Sequence, residues 1–193
     1  MKNISFSQTI DLMKADYLHW IMQHRKERNI KSFLSFLFLP GSMATGLYRI
    51  GHFFAAKKLR FISRSFQLLA IALFSVDINP DSEIGGGFLL FHTVGTIITG
   101  KIGENVIVSA LIGIGGDGSG KDVGAGPGLP VIGDKVQVGA GVMILGPVVI
   151  GNNAKIAVRA GVFKDVPEGA LAAGSPARIV KQKAPDGDIF DRK

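Results

Sequence analysis

The sequence predicts an α+β protein, with a helical domain over residues 1–76 followed by a parallel β-helix over residues 77–170 and a C-terminal tail over residues 171–193. Two observations predict this order. Apolar residues recur at helical spacing in the first third of the chain, and from residue 78 an aliphatic residue recurs every six positions. At 193 residues the chain can bury a sizeable core.

Composition excludes several classes of protein. With 47% hydrophobic and 19% charged residues the chain is not disordered, and the absence of cysteine excludes a disulfide scaffold, a thiolate nucleophile and a cysteine-based zinc site. The net charge of +7 comes from residues 1–76, which hold 11 Lys/Arg against 3 Asp/Glu. Solvated helix faces explain this excess best, with an anionic membrane surface or an acidic partner as alternatives. Nucleic acid is not expected, because no aromatic side chains are interleaved with the basic ones.

The first residues lack the apolar core and the small-residue cleavage site of a secretory signal, so we expect a cytoplasmic protein. Its most apolar stretch, residues 66–76, is about half as long as the roughly 20 residues that a membrane span requires. Peripheral membrane contact through residues 33–39 or 66–76 stays open, although a buried helix is the commoner explanation for such runs.

Three helical segments are expected before residue 77. The first covers residues 7–28, begins at Ser7 or Thr9 and places a set of apolar side chains on one face: Ile10, Met13, Tyr17, Trp20 and Ile21. Pro40-Gly41 breaks the chain, and Ser42 is the expected N-cap of a second helix that runs to about Lys58. The third segment covers residues 61–76.

A six-residue period dominates the rest of the chain. Twelve of its thirteen positions are Ile, Leu or Val, where chance would give about four. The thirteen positions are Ile78, Ile84, Leu90, Thr96, Ile102, Val108, Ile114, Ile132, Val138, Ile144, Ile150, Ile156 and Val162. Such a period fits a chain that turns a corner every six residues, with the aliphatic side chain pointing into a narrow prism. Three sides then make an 18-residue coil of short parallel strands.

The period fails between Ile114 and Ile132, where the glycine-rich sequence GIGGDGSGKDVGAGPGLP fills residues 113–130. We interpret residues 115–131 as an extruded, flexible loop. Its partial matches to nucleotide-binding glycine motifs are rejected, because no strand-to-helix context surrounds them and Asp122 stands where a magnesium-binding Ser or Thr would be.

His92 is the single histidine of the repeat region, since His19, His24 and His52 lie in the helical part. Alone, it is as easily a structural residue as a catalyst. Asp77 lies 15 residues earlier, a little less than one coil, so the two side chains can approach each other. A carboxylate bound to one ring nitrogen fixes the tautomer and raises the basicity of the other nitrogen, as a general base acting on a hydroxyl needs.

The repeats resemble those of the hexapeptide-repeat acyltransferases, and within them the serine O-acetyltransferases. The motifs that carry this resemblance are VDINP (76–80), LFHTVG (90–95), LYRIGHFF (47–54), IGIGG (112–116), VGAGVMILGPVVIGNNAKI (138–156) and AAGSPARIV (172–180). The resemblance implies a left-handed β-helix and a homotrimer, with pairing of two trimers left open. It covers about residues 46–182.

The resemblance also implies direct acetyl transfer from acetyl-CoA, a co-substrate, to a small-molecule hydroxyl acceptor, without a metal. His92 would remove the hydroxyl proton, Asp77 would orient the imidazole, and the backbone N–H of Gly116 would stabilise the oxyanion. Coenzyme A would lie in a groove between subunits, along Gly116, Ala140 and Val158. Four cations would lie near its phosphates: Lys155, Arg159, Arg178 and Lys181.

Departures from the family pattern fall where the acceptor would bind. Phe91 replaces the aspartate before the catalytic histidine, Gly128-Leu129-Pro130 replaces an Arg-His-Pro sequence, and Asn79 replaces a histidine. These changes remove a carboxylate and a guanidinium that would hold the ammonium and carboxylate of serine. Two alternatives therefore stay open: acetylation of a sugar hydroxyl in surface polysaccharide synthesis, and a catalytically silent trimeric scaffold.

Overall fold

Four helices form the N-terminal part of this computed structural model, which describes residues 4–182. They are α1 (Phe6–Gln23), α2 (Ile30–Leu37), α3 (Pro40–Ala56) and α4 (Arg60–Phe74). Helix α1 begins with a capping box, because the Ser5 side chain accepts from the backbone N–H of Gln8 and the Gln8 side chain accepts from Ser5. Asn29 caps α2 through the backbone N–H of Ser32.

The helix boundaries differ from those expected in two places. The expected helix over 7–28 ends at Gln23. Residues 33–39, for which a buried helix was the commoner explanation, do lie on a helix, α2 and its C-terminal end, but the expectation of burial is wrong, because the apolar side chains of this run are exposed apart from Phe36. The expectation that Ser42 is an N-cap is wrong, because α3 begins at Pro40, whose fixed φ and missing N–H suit the first helical position. The Ser42 hydroxyl instead donates to the Leu39 carbonyl at 2.8 Å.

Fifteen short strands within residues 4–182 form the three faces of a parallel β-helix of about five turns. The first face holds β1 (Val76–Ile78), β4 (Thr96–Ile98), β7 (Gly113–Gly115), β10 (Met143–Leu145) and β13 (Gly161–Val162). The second holds β2 (Glu83–Ile84), β5 (Lys101–Ile102), β8 (Val131–Ile132) and β11 (Val149–Ile150). The third holds β3 (Leu89–Leu90), β6 (Ile107–Val108), β9 (Gln137–Val138), β12 (Lys155–Ile156), β14 (Leu171–Ala173) and β15 (Arg178–Lys181).

The six-residue positions line the core of the β-helix. All thirteen are at most 6% exposed, and on the second face Ile84, Ile102, Ile132 and Ile150 lie in direct register. The aliphatic ladder therefore stacks coil on coil, which is the burial that stabilises a solenoid. Thr96 is the polar member of the set, and its buried hydroxyl has no hydrogen-bond partner within residues 4–182.

The last coil closes beyond the boundary expected at residue 170. Strand β14 continues the third face in parallel with β12, and β15 then turns back to pair with β14 in antiparallel fashion. Residues 174–182 thus cover the end of this sheet, which would otherwise present an open strand edge. The remainder of the expected tail, residues 183–193, lies outside the described residues.

A buried ion pair joins the helices to the first coil. Arg49 on α3 contacts Asp16 on α1 through Nε–Oδ2 at 3.1 Å and Nη2–Oδ1 at 3.0 Å. The same guanidinium donates to the carbonyls of Ile84 and Gly85, and the backbone N–H of Phe88 donates to Asp16 at 2.8 Å. Burial raises the pKa of Asp16, and the Arg49 charge opposes that rise.

Candidate active site

His92 is the histidine whose ring is exposed and unbonded. It follows β3, at the edge where the third face of the prism turns into the first, and its ring makes no hydrogen bond within residues 4–182. The other three histidines each place Nδ1 against a backbone carbonyl: His19 at Gly87, His24 at Trp20 (3.0 Å) and His52 at Pro80 (2.8 Å). His92 is therefore the histidine for which neither ring nitrogen bonds to the protein within residues 4–182.

Asp77 lies at the centre of β1, half-buried and paired in register with Ile97 of the neighbouring strand. Its carboxylate accepts a hydrogen bond from the side-chain amide of Gln67 on α4 at 2.5 Å. Across residues 4–182 no hydrogen bond joins Asp77 to His92, so the expected carboxylate–imidazole pair is not assembled in this chain. To orient the His92 ring, the carboxylate would have to give up its hydrogen bond with the Gln67 amide and form one with the imidazole.

A largely apolar cavity of about 1020 Å³ lies between the helices and the segment 88–92, and His92 is part of its lining. Phe91, the residue that replaces the expected carboxylate, also lines it. The Phe91 ring packs on a buried cluster that includes Trp20 and Leu89 and meets the His24 ring edge-on at 5.8 Å. Position 91 therefore joins the helices to β3, and it offers no charge to a zwitterionic acceptor.

Three of the proposed coenzyme A positions lie on the same edge of the prism as His92. Ala140 follows β9, and Val158 and Arg159 follow β12, so all three stand where the third face turns into the first. The backbone N–H of Arg159 donates to the Ala140 carbonyl at 2.8 Å, which stacks these two corners. Val158 is 59% exposed, so this edge presents a surface that an extended ligand can follow.

Gly116 lies on a different edge. It follows β7, where the first face turns toward the second, and it lines a separate cavity of about 560 Å³ that also includes Asp117, Phe163 and Lys164. Within residues 4–182 its exposed backbone N–H donates to no acceptor. One chain therefore does not bring the Gly116 amide and the His92 ring to the same edge.

The two remaining acceptor positions are structural within this chain. Leu129 packs beside Gly116, since a Cβ added to Gly116 would lie 3.2 Å from Leu129 Cδ2. Asn79 forms a turn: its side-chain oxygen accepts from the backbone N–H of Asp81 at 3.0 Å, and its own N–H donates to the Ile98 carbonyl. Asn79 thus ends β1 and orders the corner that follows.

The four cations expected near phosphates do not share one environment. Arg159, Arg178 and Lys181 are exposed, the last two on β15. Lys155 is only 8% exposed because it lies in β12, between β9 and β14, so this chain does not present it at the surface as expected. Among residues 4–182 no group of three or more His, Asp or Glu side chains is placed to hold a metal ion.

Two aspartates order the glycine-rich loop, and sequence analysis did not single out Asp117. Interaction with Ser119, whose backbone N–H donates to the Asp117 carboxylate at 2.8 Å, lowers the pKa of Asp117. The N–H groups of Gly124 and Gly126 lower the pKa of Asp122 in the same way. An aspartate two residues before Ser or Gly is typical of such a turn, so this spacing could have identified both aspartates from the sequence. The loop is thus built of defined turns next to Gly116.

Comparison with known proteins agrees with this architecture. Residues 130–164 match the family model described as bacterial transferase hexapeptide (six repeats). The solved serine acetyltransferase of Neisseria gonorrhoeae in complex with serine superposes with a TM-score of 0.80 at 30% identity, covering 91% of this chain and 70% of that one. A serine acetyltransferase in complex with CoA superposes with a TM-score of 0.77 at 31% identity, covering 91% and 71%. The fold and its repeats therefore define a hexapeptide-repeat acyltransferase.

The relatives of known name identify the family within this class. The serine acetyltransferase of Helicobacter pylori is 34% identical over 146 residues, which are 75% of this chain and 83% of that protein. This chain belongs to the serine acetyltransferase family. It matches 56% of the length of the Salmonella typhimurium serine acetyltransferase, at 36% identity over 80% of this chain, so it spans little more than half of that longer relative.

Proposed function

We propose that this chain transfers the acetyl group of acetyl-CoA to a hydroxyl, with L-serine, the acceptor named for its relatives, as the leading acceptor. The observation that carries the proposal is His92, an exposed imidazole without a hydrogen-bond partner among residues 4–182, on an edge of the prism where a ligand can lie. A neutral imidazole there can accept the proton of an attacking hydroxyl near neutral pH.

The proposed reaction is a direct transfer. His92 takes the hydroxyl proton while the hydroxyl oxygen forms a bond to the thioester carbonyl carbon, and the Gly116 N–H stabilises the resulting oxyanion. Collapse of that intermediate breaks the carbon–sulfur bond, and the imidazolium returns the proton to the departing thiolate. Asp77, as a positioning residue, orients the ring and stabilises its charged form after leaving Gln67.

We propose a homotrimer as the form in which this site is complete. Because His92 and Gly116 lie on different edges of one prism, the edge of one chain has to meet the other edge of a neighbour for both groups to serve one thioester. Coenzyme A would then lie along Ala140 and Val158 in the groove between chains, near Arg159. Use of acetyl-CoA as the donor favours a cytoplasmic location.

The test is thiol release from acetyl-CoA in the presence of L-serine, with purified wild-type chain beside His92→Ala. We expect the substitution to lower kcat by about 10² to 10⁴ fold, the usual contribution of a general base. His24→Ala is the matched control, because His24 lines the same cavity but bonds to the Trp20 carbonyl. Unchanged turnover in His92→Ala would exclude the proposed base.

A sugar hydroxyl is the second candidate acceptor. The specific observation is that position 91 holds a half-buried phenylalanine and position 129 a half-buried leucine, so neither supplies a charge partner for a zwitterion. A panel of sugars in the same thiol-release assay separates the two. Turnover with a sugar but not with serine would reassign the acceptor, and no turnover with any acceptor would favour the silent scaffold.

A further inference from the structure

The outer surface of the helical region has an unusual distribution of side chains. In α4 the buried residues are Ser63 and Ala70, whereas the large apolar side chains point outward: Phe61 (86% exposed), Leu68 (64%), Leu73 (61%), Leu69 (43%), Ile62 (39%) and Ile71 (38%). A helix of a globular domain normally buries its large apolar side chains. The exposed face of α4 therefore has no cover within residues 4–182.

Helix α2 continues that surface. Its one fully buried residue is Ser32, and Phe36 is half-buried against Trp20. The other apolar side chains are exposed, from Ile30 (68%) to Phe38 (71%) at the C-cap. Phe33 and Phe38 line the same cavity as Leu69 and Leu73 of α4, so the two helices open onto one side of the molecule. Contiguous exposed apolar surface of this kind marks an interaction site.

Basic residues lie within and beside α2 and α4 in the sequence. Residues 25–76 hold nine Lys/Arg and a single acidic residue, Glu27. Arg28 and Lys31 at the start of α2 and Lys58 before α4 are exposed and make no ion pair within residues 4–182. Apolar side chains bordered by unpaired cations are complementary to the headgroups and acyl chains of an anionic bilayer. A second copy of the chain would bring the same positive charge to the contact, which repulsion disfavours.

Length decides how such a surface would sit on a bilayer. Helix α2 has 8 residues and α4 has 15, or about 12 Å and 22 Å, against about 30 Å of hydrocarbon. No single helix among residues 4–182 is long and apolar enough to span a membrane, and α2 with α3, which pass that test together, are bent by 76°. The geometry fits helices lying in the interface plane.

We propose that α2 and α4 form a docking surface for an anionic membrane, which holds the His92 side of the cavity close to the lipid headgroups. The proposal does not depend on the acetyl acceptor or on catalysis. Binding would combine insertion of Phe38, Phe61 and Leu68 with attraction of Lys31 and Lys58 to acidic headgroups.

Co-sedimentation of the full chain with phospholipid vesicles tests this. We expect binding to phosphatidylcholine vesicles that contain phosphatidylglycerol, little binding to phosphatidylcholine alone, and a loss of binding as salt rises. Replacing Lys31 and Lys58 with Gln should weaken binding roughly fivefold for each charge removed. The matched control replaces Lys101 and Lys135, two exposed lysines of the β-helix, with Gln and should bind like wild type.

The apolar contribution is tested by Leu68→Asp against Val180→Asp, since the two residues are 64% and 59% exposed and the charge change is the same. Leu68→Asp should abolish vesicle binding and Val180→Asp should not, with circular dichroism showing that both stay folded. Equal binding by the two variants would overturn the proposal. Absence of binding to anionic vesicles would also overturn it. If sedimentation velocity then showed self-association that Leu68→Asp removes, the occupant of this surface would be a second copy of the chain.

Discussion

The Arg49 guanidinium forms a bidentate, fully buried ion pair with the Asp16 carboxylate, at 3.0 and 3.1 Å. Arg49 is on the third helix, Asp16 is on the first, and both also bond to the backbone of the first coil, at Ile84 and Phe88 respectively. The pair therefore fixes two helices and the β-helix relative to one another. Phe88 directly precedes β3, the strand that leads to His92.

Removing either partner of that pair should destabilise the protein strongly. Arg49→Met or Asp16→Leu leaves a buried charge without its partner, which costs about 3–5 kcal/mol. Urea unfolding checks this. The double variant should lose at least about 1 kcal/mol less than the sum of the two single losses, because the partners interact directly. Additive losses would show that the two residues act independently.

Two glycines of α3 should respond in opposite directions to alanine. A Cβ at Gly41 would overlap the Leu90 carbonyl oxygen, two residues before His92, whereas a Cβ at Gly46 meets nothing within 4 Å. Gly41→Ala should cost about 3 kcal/mol of stability, and Gly46→Ala should gain about 1 kcal/mol because alanine is the better helix former. Thermal unfolding of both variants measures this, and equal effects would contradict the close approach of α3 to β3.

Thr96 should be improved by valine. Its hydroxyl is buried at a six-residue position and has no hydrogen-bond partner in the described part of the chain, so Thr96→Val removes an unsatisfied polar group at nearly constant volume. We expect a gain of about 1 kcal/mol in the free energy of unfolding. The reverse change at an equivalent position, Val138→Thr, should lose a similar amount. A loss in Thr96→Val would mean that the hydroxyl has a partner.

Asp77→Asn should lower kcat more than it changes KM. A carboxylate beside an imidazole stabilises the imidazolium that forms as the hydroxyl proton is taken, and an amide does not, so we expect kcat to fall by about tenfold or more. Gln67→Leu is the control, because it removes the present partner of Asp77 and leaves the carboxylate free for His92. An Asp77→Asn variant that keeps the wild-type kcat would exclude Asp77 as a positioning residue for His92.

Mixing two inactive variants should restore activity if the site lies between chains. His92→Ala removes the imidazole, and Gly116→Val keeps the backbone N–H but places a branched side chain beside it that obstructs the thioester. A mixed trimer still contains one junction at which an intact imidazole meets an unobstructed Gly116. Refolding the two variants together in equal amounts should recover about one quarter of wild-type thiol release. No recovery, with trimers demonstrated by sedimentation, would place both groups in the site of a single chain.

The six-residue period allowed the core of the β-helix to be predicted residue by residue. Every one of the thirteen expected positions is buried, because inward placement follows from the turn at each corner and needs no knowledge of distant contacts. The resemblance to serine acetyltransferases was likewise confirmed by the relatives. The roles of His92, Asp77 and Gly116 stay predictions.

Helix boundaries were harder to predict from the sequence. Ser42 has the composition of an N-cap, yet Pro40 starts the helix, and α2 was visible only as an apolar run. Arg49 and Asp16 looked like ordinary charges on two helix faces, since nothing in local spacing shows that they meet across 33 positions of sequence.

By itself, the sequence determined the order of helices and coils and the identity of the residues that fill the prism, because a repeated local pattern specifies a repeated local geometry. Only the tertiary structure decided that Gln67 holds Asp77 and that Lys155 is enclosed between neighbouring strands. Those relationships depend on contacts between residues that folding brings together from separate coils and helices, and no local pattern encodes them.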